Sequence, residues 1–288
     1  MTNLKEVISS KCFEGYQKTF SHSSKALDCD MKFGIYLPPQ AEQCKVPVLY
    51  FLNGLTATEE NFLVKAGVQR LAAKHGLCIV SPDTSPRNVD IPGQDEFNNV
   101  GYSASFYLDA TQPPWSKHYK MYTYVTKELV ELIESSFPVI PERKSISGFS
   151  MGGYGALICA LKNPGMYRSL SCLEALTNPI NSPVVQRPFI TYLGANKEDW
   201  KPWDASYLIS QYKGPPIEIF LDQGTCDPYH LEGNLLPENF VEAASKNDLV
   251  NAYIKWRKGY NHSHFYVSTF IEEHIEYHMK ALNETPKL

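Results

Sequence analysis

The stretch Gly148-Phe-Ser-Met-Gly152 constrains this chain more than any other, because a strand pattern, Lys144-Ser-Ile-Ser147, runs into it and a helix pattern, Met151-Gly-Gly-Tyr-Gly-Ala-Leu157, runs out. A serine hydroxyl barely ionises at neutral pH, so it serves as a nucleophile only when a tight turn projects it toward a base. The backbone N–H that follows, on Met151, then faces the developing oxyanion. Glycines at 148 and 152 let neighbouring backbone approach the strained serine. Gly-x-Ser-x-Gly alone is a common pentapeptide; its place between strand and helix gives it meaning. Ser150 is the predicted nucleophile.

In an α/β-hydrolase, the acid and then the histidine follow the nucleophile along the chain. The apolar run Ile217-Glu-Ile-Phe-Leu-Asp222 reads as a strand, and Gln223-Gly-Thr-Cys-Asp227 as the loop after it. A second strand, Asn251 to Trp256, leads into Lys258-Gly-Tyr-Asn-His-Ser-His264 and a long helix. A carboxylate on the first loop can orient a histidine on the second and stabilise its imidazolium. Asp222 and Asp227 both suit the acid, and His262 and His264 both suit the base; spacing does not separate them. A second oxyanion donor is expected after an earlier central strand. Val46-Pro-Val-Leu-Tyr-Phe-Leu52 is that strand, Asn53-Gly-Leu-Thr56 follows it, and the N–H of Leu55 is the predicted partner of the Met151 N–H.

The remaining periodicities agree with this architecture. Met31 to Leu37 alternates as a half-exposed strand does, whereas Val46–Leu52 and Leu77–Val80 are continuous apolar runs of buried strands. Between them, Asn61 to His75 places Leu63, Val64, Val68, Leu71 and Ala72 on one helical face. Met121 to Phe137 does the same with Tyr122, Val125, Leu129, Leu132 and Ile133. Strands alternating with helices predict a mostly parallel sheet covered on both faces, with ligands bound beyond the C-terminal strand ends. The fold class expected is therefore α/β, of the α/β-hydrolase type, as one domain over residues 1–288.

Several stretches together resemble a known family. Lys11-Cys-Phe-Glu-Gly15, Met31-Lys-Phe-Gly-Ile-Tyr-Leu-Pro-Pro39, Leu52-Asn-Gly-Leu-Thr56, Pro82-Asp-Thr-Ser-Pro-Arg87, Phe106-Tyr-Leu-Asp-Ala-Thr111, Met121-Tyr-Thr-Tyr-Val-Thr126, Ser150-Met-Gly-Gly153 and Leu235-Leu-Pro-Glu-Asn-Phe240 are similar to S-formylglutathione hydrolase, also called esterase D. The likeness spans residues 10 to 282 or so. It implies Ser150 as nucleophile, Asp227 as acid, His262 as base, and Leu55 and Met151 as oxyanion donors. It further implies hydrolysis of S-formylglutathione to glutathione and formate, cleavage of simple carboxylate esters, no cofactor, and a homodimer. The same architecture also serves acyltransferases, and a catalytically silent binding protein could keep it.

Departures from the family pattern gather near the implied site. Ala57 stands where the family has cysteine, which predicts lower sensitivity to thiol reagents. Phe149 and Tyr154 stand where it tends to have histidine. Gly101-Tyr-Ser-Ala-Ser-Phe-Tyr107 replaces a glycine-rich run, so Tyr102, Ser103 and Ser105 are expected to narrow the acyl pocket. Glu174 replaces a small residue; it is expected to bring a carboxylate near the nucleophile, to repel the carboxylates of glutathione and, if close, to raise the pKa of His262.

Composition excludes other classes. A net charge of −4 with mixed signs gives no footprint for nucleic acid or an anionic membrane, and no apolar run reaches the length of a bilayer span. The start, Met1 to Glu6, lacks a signal core, and the seven cysteines include no CxxC pair, so a cytoplasmic protein with reduced thiols is expected. Pro286-Lys-Leu288 matches a peroxisomal tail only loosely and is read as chance. His274 and His278, four apart on the last helix, are assigned to a solvated face and not to a metal. Trp115, Trp200 and Trp203 are expected to pack loops down, and His264 to point away from the site. No metal and no cofactor are expected.

Overall fold

Val46–Leu52 is buried at every position, and its side chains alternate between two cores. Val48, Tyr50 and Leu52 join the larger apolar cluster, while Leu49 and Phe51 join the cluster on the opposite face of the sheet. That alternation, on a strand apolar throughout, requires helices on both sides. The computed structural model, which describes residues 3–284, supplies them. Nine strands form one sheet: β1 (Lys5–Cys12), β2 (Gly15–Ser24), β3 (Cys29–Leu37), β4 (Val46–Leu52), β5 (Cys78–Pro82), β6 (Val139–Phe149), β7 (Leu170–Leu173), β8 (Ile217–Gly224) and β9 (Val250–Arg257). Their spatial order is β1-β2-β3-β5-β4-β6-β7-β8-β9. Strands β1, β2, β3 and β5 pair antiparallel, and everything from β5 to β9 is parallel.

The helix Met151–Lys162 is buried for almost its whole length beneath the larger core. On the opposite face the C-terminal helix His264–Asn283 packs across β6, β7 and the helix Val68–His75. Because β4, β6, β7, β8 and β9 run the same way, the loops carrying Leu55, Ser150, Glu174, Asp227 and His262 all leave one edge of the sheet.

Some local expectations are corrected. The single helix expected over Asn61–His75 is two, Asn61–Lys65 and Val68–His75, broken at Gly67 in the left-handed region (φ 66°). The break turns Val64 outward to 76% exposure, whereas Leu63, Val68, Leu71 and Ala72 stay in the core. Met121 to Phe137 is helical through Ser136 and contains a π-helical turn over Tyr124–Glu128; Val125, Leu129, Leu132 and Ile133 are buried, Tyr122 only partly. The alternation of Met31–Leu37 ends at Phe33, since Gly34, Ile35 and Tyr36 are all buried. Gly34 lies so close to the Leu63 side chain that a Cβ would stand 2.3 Å from Leu63 Cδ1.

His274 and His278 do not face solvent: both are fully buried. His278 bonds Ser169 and Ser171 through its two ring nitrogens (2.8 Å each), and His274 Nδ1 bonds Ser171 Oγ at 2.8 Å. Spacing by four does put them on one face; that face meets serines which make the sheet locally polar. Burial holds both imidazoles below their ordinary pKa, so they pack as neutral rings. Trp115, Trp200 and Trp203 are buried and pack loops, as expected. Pro286-Lys-Leu288 lies outside the described residues.

Candidate active site

Ser150 sits between β6 and the helix Met151–Lys162 at φ 59°, ψ −121°. Such a conformation costs a non-glycine residue on the order of 1–3 kcal/mol and persists only where the surroundings enforce it. Its N–H donates to Leu173 O on β7 (2.9 Å), and its carbonyl accepts from Tyr154 N (3.0 Å). The flanking glycines are steric requirements. A Cβ at Gly152 would lie 1.9 Å from Leu52 O, and one at Gly148 would lie 2.3 Å from Gly152 O. The turn thus rests directly on β4.

The loop after β4 faces Ser150. A Cβ on Gly54 would stand 3.1 Å from Ser150 Cβ. Asn53 fixes this loop: its amide nitrogen donates to Ser81 Oγ (2.8 Å) and Thr58 O (2.9 Å), and its Oδ1 accepts from Phe62 N (3.1 Å). Tyr107 OH donates to Asn53 O at 2.8 Å. Leu55 and Met151 line one cavity with Ser150 and His262.

Asp227 caps the short helix Pro228–Leu231, its Oδ1 accepting from Tyr229 N at 2.8 Å. Its Oδ2 is 2.8 Å from His262 Nδ1 and 3.1 Å from Gln223 Nε2. Burial works against the charge of Asp227, but these donors, with His262 foremost, outweigh it and hold the carboxyl below its usual range. The imidazole of His262 packs against two rings, Phe149 (centroids 4.6 Å apart) and Tyr229 (4.8 Å, edge-on). The ring is thereby held at Nδ1 and packed by two aromatic neighbours, and His262 lines the cavity with Ser150.

The alternatives left open by spacing separate here. Asp222 makes no contact with His262; its carboxylate accepts from Arg257 and from Tyr266 OH, with His274 Nε2 3.5 Å away. His264 departs from expectation, because it lines the cavity beside Phe149 (ring centroids 5.7 Å apart). It opens the C-terminal helix, whose first turn is capped by Ser263, the side chain accepting from Tyr266 N. Its pKa is lowered by burial and by the charge of Lys65.

The cavity encloses about 480 Å³, with apolar walls from Phe106, Leu176, Val184 and Leu235. Of the departures noted in the sequence, Ala57 and Phe149 line it. Tyr102, Ser103 and Ser105 do not, which corrects the expected narrowing. Ser103 Oγ accepts from Arg87 (2.8 Å), Ser105 Oγ donates to Thr84 O, and Tyr102 OH accepts from Gln94 (2.9 Å), so all three brace the loop behind the wall. Tyr154 points the other way and donates to Trp203 O.

Glu174 also corrects its expectation. Its side chain is fully buried and lines no part of the cavity, so it cannot meet a substrate carboxylate. Burial, with the neighbouring charge of Asp227, pushes its carboxyl up to about 9. At neutral pH it is an acid and not an anion. Its Oε2 nonetheless lies 3.2 Å from His262 Nδ1.

Reading the sequence missed Tyr229 as a wall for His262 and Gln223 as a donor to Asp227. Neither has a motif, since each acts by lying close to a neighbour fixed by the fold.

Comparison with known proteins extends these observations. Residues 24–281 match the family model described as "Putative esterase". The chain is 50% identical over 280 residues to an S-formylglutathione hydrolase of Rattus norvegicus, covering 97% of this chain and 99% of that one. It is 48% identical to the protein of the same name from Bos taurus over the same shares. Among solved structures, an S-formylglutathione hydrolase from Agrobacterium tumefaciens superimposes with a TM-score of 0.93 at 38% identity, covering 97% of this chain and 100% of that one. With an elbow serine, a carboxylate-bound histidine and this likeness along nearly its whole length, the chain belongs to the esterase family of α/β-hydrolase fold that includes the S-formylglutathione hydrolases.

Proposed function

We propose that Ser150, His262 and Asp227 are a catalytic triad that hydrolyses S-formylglutathione to glutathione and formate. The observation that carries this reading is the 2.8 Å contact between Asp227 Oδ2 and His262 Nδ1, on a histidine sharing one cavity with an elbow serine. Ser150 Oγ attacks the formyl carbonyl while His262 Nε2 takes its proton. Asp227 holds the Nδ1–H tautomer and stabilises the imidazolium. The N–H groups of Leu55 and Met151 receive the oxyanion, the second at the start of a twelve-residue helix whose dipole favours negative charge. His262 then protonates the departing thiolate and draws a proton from the water that releases formate from Ser150.

A second substrate class is favoured by one feature of the walls. No Lys or Arg is among the described residues that line the cavity, whereas glutathione carries two carboxylates. Short uncharged carboxylate esters, which need no cation, should therefore also be cleaved through the same acyl-enzyme.

Labelling with a fluorophosphonate probe tests the triad. Mass-spectrometric attachment to Ser150 in the wild type, lost in His262→Ala, is expected. An unlabelled wild-type protein would favour a silent binding protein on this fold. We also read the chain as one domain, since one sheet joins the described strands, as cytoplasmic, from seven cysteines that include no CxxC pair, and as a homodimer, which rests on the family resemblance alone. No helix among the described residues is long and apolar enough to cross a membrane.

A further inference from the structure

Glu174 leaves the end of β7 at φ 46°, a left-handed conformation unusual for a glutamate, and its N–H donates to Asp222 O on the neighbouring strand (2.8 Å). This turn drives the side chain behind His262. The socket is shaped by Gly224: a Cβ there would stand 2.6 Å from Glu174 Oε1 and 2.5 Å from Tyr260 O. Neither carboxyl oxygen makes a well-formed hydrogen bond, although the side chain is completely buried. Glu174 Oε2 nevertheless lies 3.2 Å from the same Nδ1 that Asp227 Oδ2 holds at 2.8 Å. Two carboxyl groups thus share one edge of one imidazole.

The groups facing this pair are defined. Asp222 approaches from β8, Asp227 from the loop after it, and His262 from the loop after β9. Tyr266 of the C-terminal helix bonds Asp222, and Arg257 of β9 is engaged by Asp222 and Glu273. The nearby guanidinium is therefore committed elsewhere. A second anion beside Asp227 would find its compensation in His262 alone, and only when that ring carries a proton.

We propose that Glu174 is a positioning residue acting through His262: its carboxyl shares the Nδ1 edge with Asp227, and its protonation state sets how firmly the imidazolium is held during proton transfer. While protonated, Glu174 adds a dipole and no net charge, and Asp227 is the sole counter-ion. When it ionises, a second negative charge sits against Nδ1, and the imidazolium formed as Ser150 loses its proton is stabilised further. No bond to substrate is involved, and the proton lost by Glu174 goes to solvent. The inference rests on the triad reading above.

The test is the pH dependence of kcat/KM for p-nitrophenyl acetate between pH 5 and 10, corrected for hydroxide, in the wild type, Glu174→Gln and Glu174→Ala. Each protein is compared with itself, as the ratio of its rate at pH 10 to that at pH 7.5, so that a general loss of activity does not matter. The wild type should rise to a plateau and then rise again around pH 9. That second rise should be about threefold to tenfold, the upper value being about 1.4 kcal/mol of added transition-state stabilisation. Both variants should keep the first rise and stay flat above it. A flat wild-type profile, or a second rise retained in either variant, would overturn the proposal and leave the triad intact. Full activity in Ser150→Ala would instead overturn the triad.

Discussion

Asp227 bonds His262 Nδ1 at 2.8 Å, whereas Asp222, near the end of the strand that leads into the Asp227 loop, holds Arg257 and Tyr266 and never reaches the imidazole. The two aspartates have divided the work. Arg257 ends β9 just before the His262 loop, and Tyr266 lies in the first turn of the helix just after it. Asp222 therefore fastens both ends of the loop whose middle Asp227 orients. Burial opposes charge on Asp222, but the neighbouring His274 and the donors Arg257 and Tyr266 outweigh it and hold the carboxyl low.

Asp222→Ala should consequently be costly without touching the cavity. Removing one partner of a buried, hydrogen-bonded ion pair leaves the other charge uncompensated and costs about 3–5 kcal/mol. Glu273 still faces Arg257, so the lower end of that range is expected. Chemical denaturation should show the midpoint falling with an unchanged slope, together with a drop in kcat as the His262 loop loosens. A midpoint at the wild-type value would remove Asp222 from this role.

Glu174 makes stability depend on pH in a defined direction. Its folded pKa, about 9, lies above the ordinary value of 4.5. The stability attached to its protonated form is therefore complete below pH 4.5 and is lost as pH rises toward 9. Glu174→Gln has no such proton to lose. The variant should gain on the wild type by about 1.4 kcal/mol per pH unit between those limits at most. Thermal denaturation of both proteins at pH 5, 7 and 9 checks this; parallel curves would contradict it.

The elbow makes a steric prediction. A Cβ at Gly152 would meet the Leu52 carbonyl at 1.9 Å, inside a sheet–helix junction that cannot yield. Gly152→Ala should cost above about 3 kcal/mol, beyond the usual range for overpacking, and lower soluble yield sharply. Gly233→Ala, where nothing lies within 4 Å, pays only for its positive φ of 72° and should lose about 1 kcal/mol. Equal losses at the two sites would contradict the packing described.

Ala57 lines the cavity, and none of the cysteines does. Alkylation with N-ethylmaleimide should modify the exposed Cys44 and Cys226 and leave most esterase activity. Ala57→Cys should confer inactivation that substrate slows. Rapid inactivation of the wild type, persisting in Cys226→Ala, would mean that a thiol elsewhere controls the site.

The sequence made the edge of the sheet that carries the candidate site legible because its central strands are buried on both faces, and such runs as Val46–Leu52 admit few other readings. Ser150 was legible because a strained turn demands glycines at fixed positions, here 148 and 152. The choice of Asp227 over Asp222 is not visible in spacing and comes from family resemblance; the physical reason is Arg257, which claims Asp222 from the neighbouring strand. His274 and His278 depart from the solvated face expected of a polar pair on a helix, because Ser171 of β7 and Ser169 just before it make their burial acceptable. The apolar periodicity of Asn61–His75 continues across Gly67, whose left-handed backbone nonetheless breaks the helix in two. Glu174 was placed near the site, but its neutrality depends on burial that no local pattern encodes.

The most direct measurement is kcat/KM for S-formylglutathione, with p-nitrophenyl acetate alongside, in the wild type and Ser150→Ala. Rapid thioester cleavage by the wild type is expected, falling by roughly 10⁴- to 10⁶-fold in the variant. Cleavage of the acetate but not the thioester, or thioester cleavage that survives loss of Ser150, would contradict the assignment.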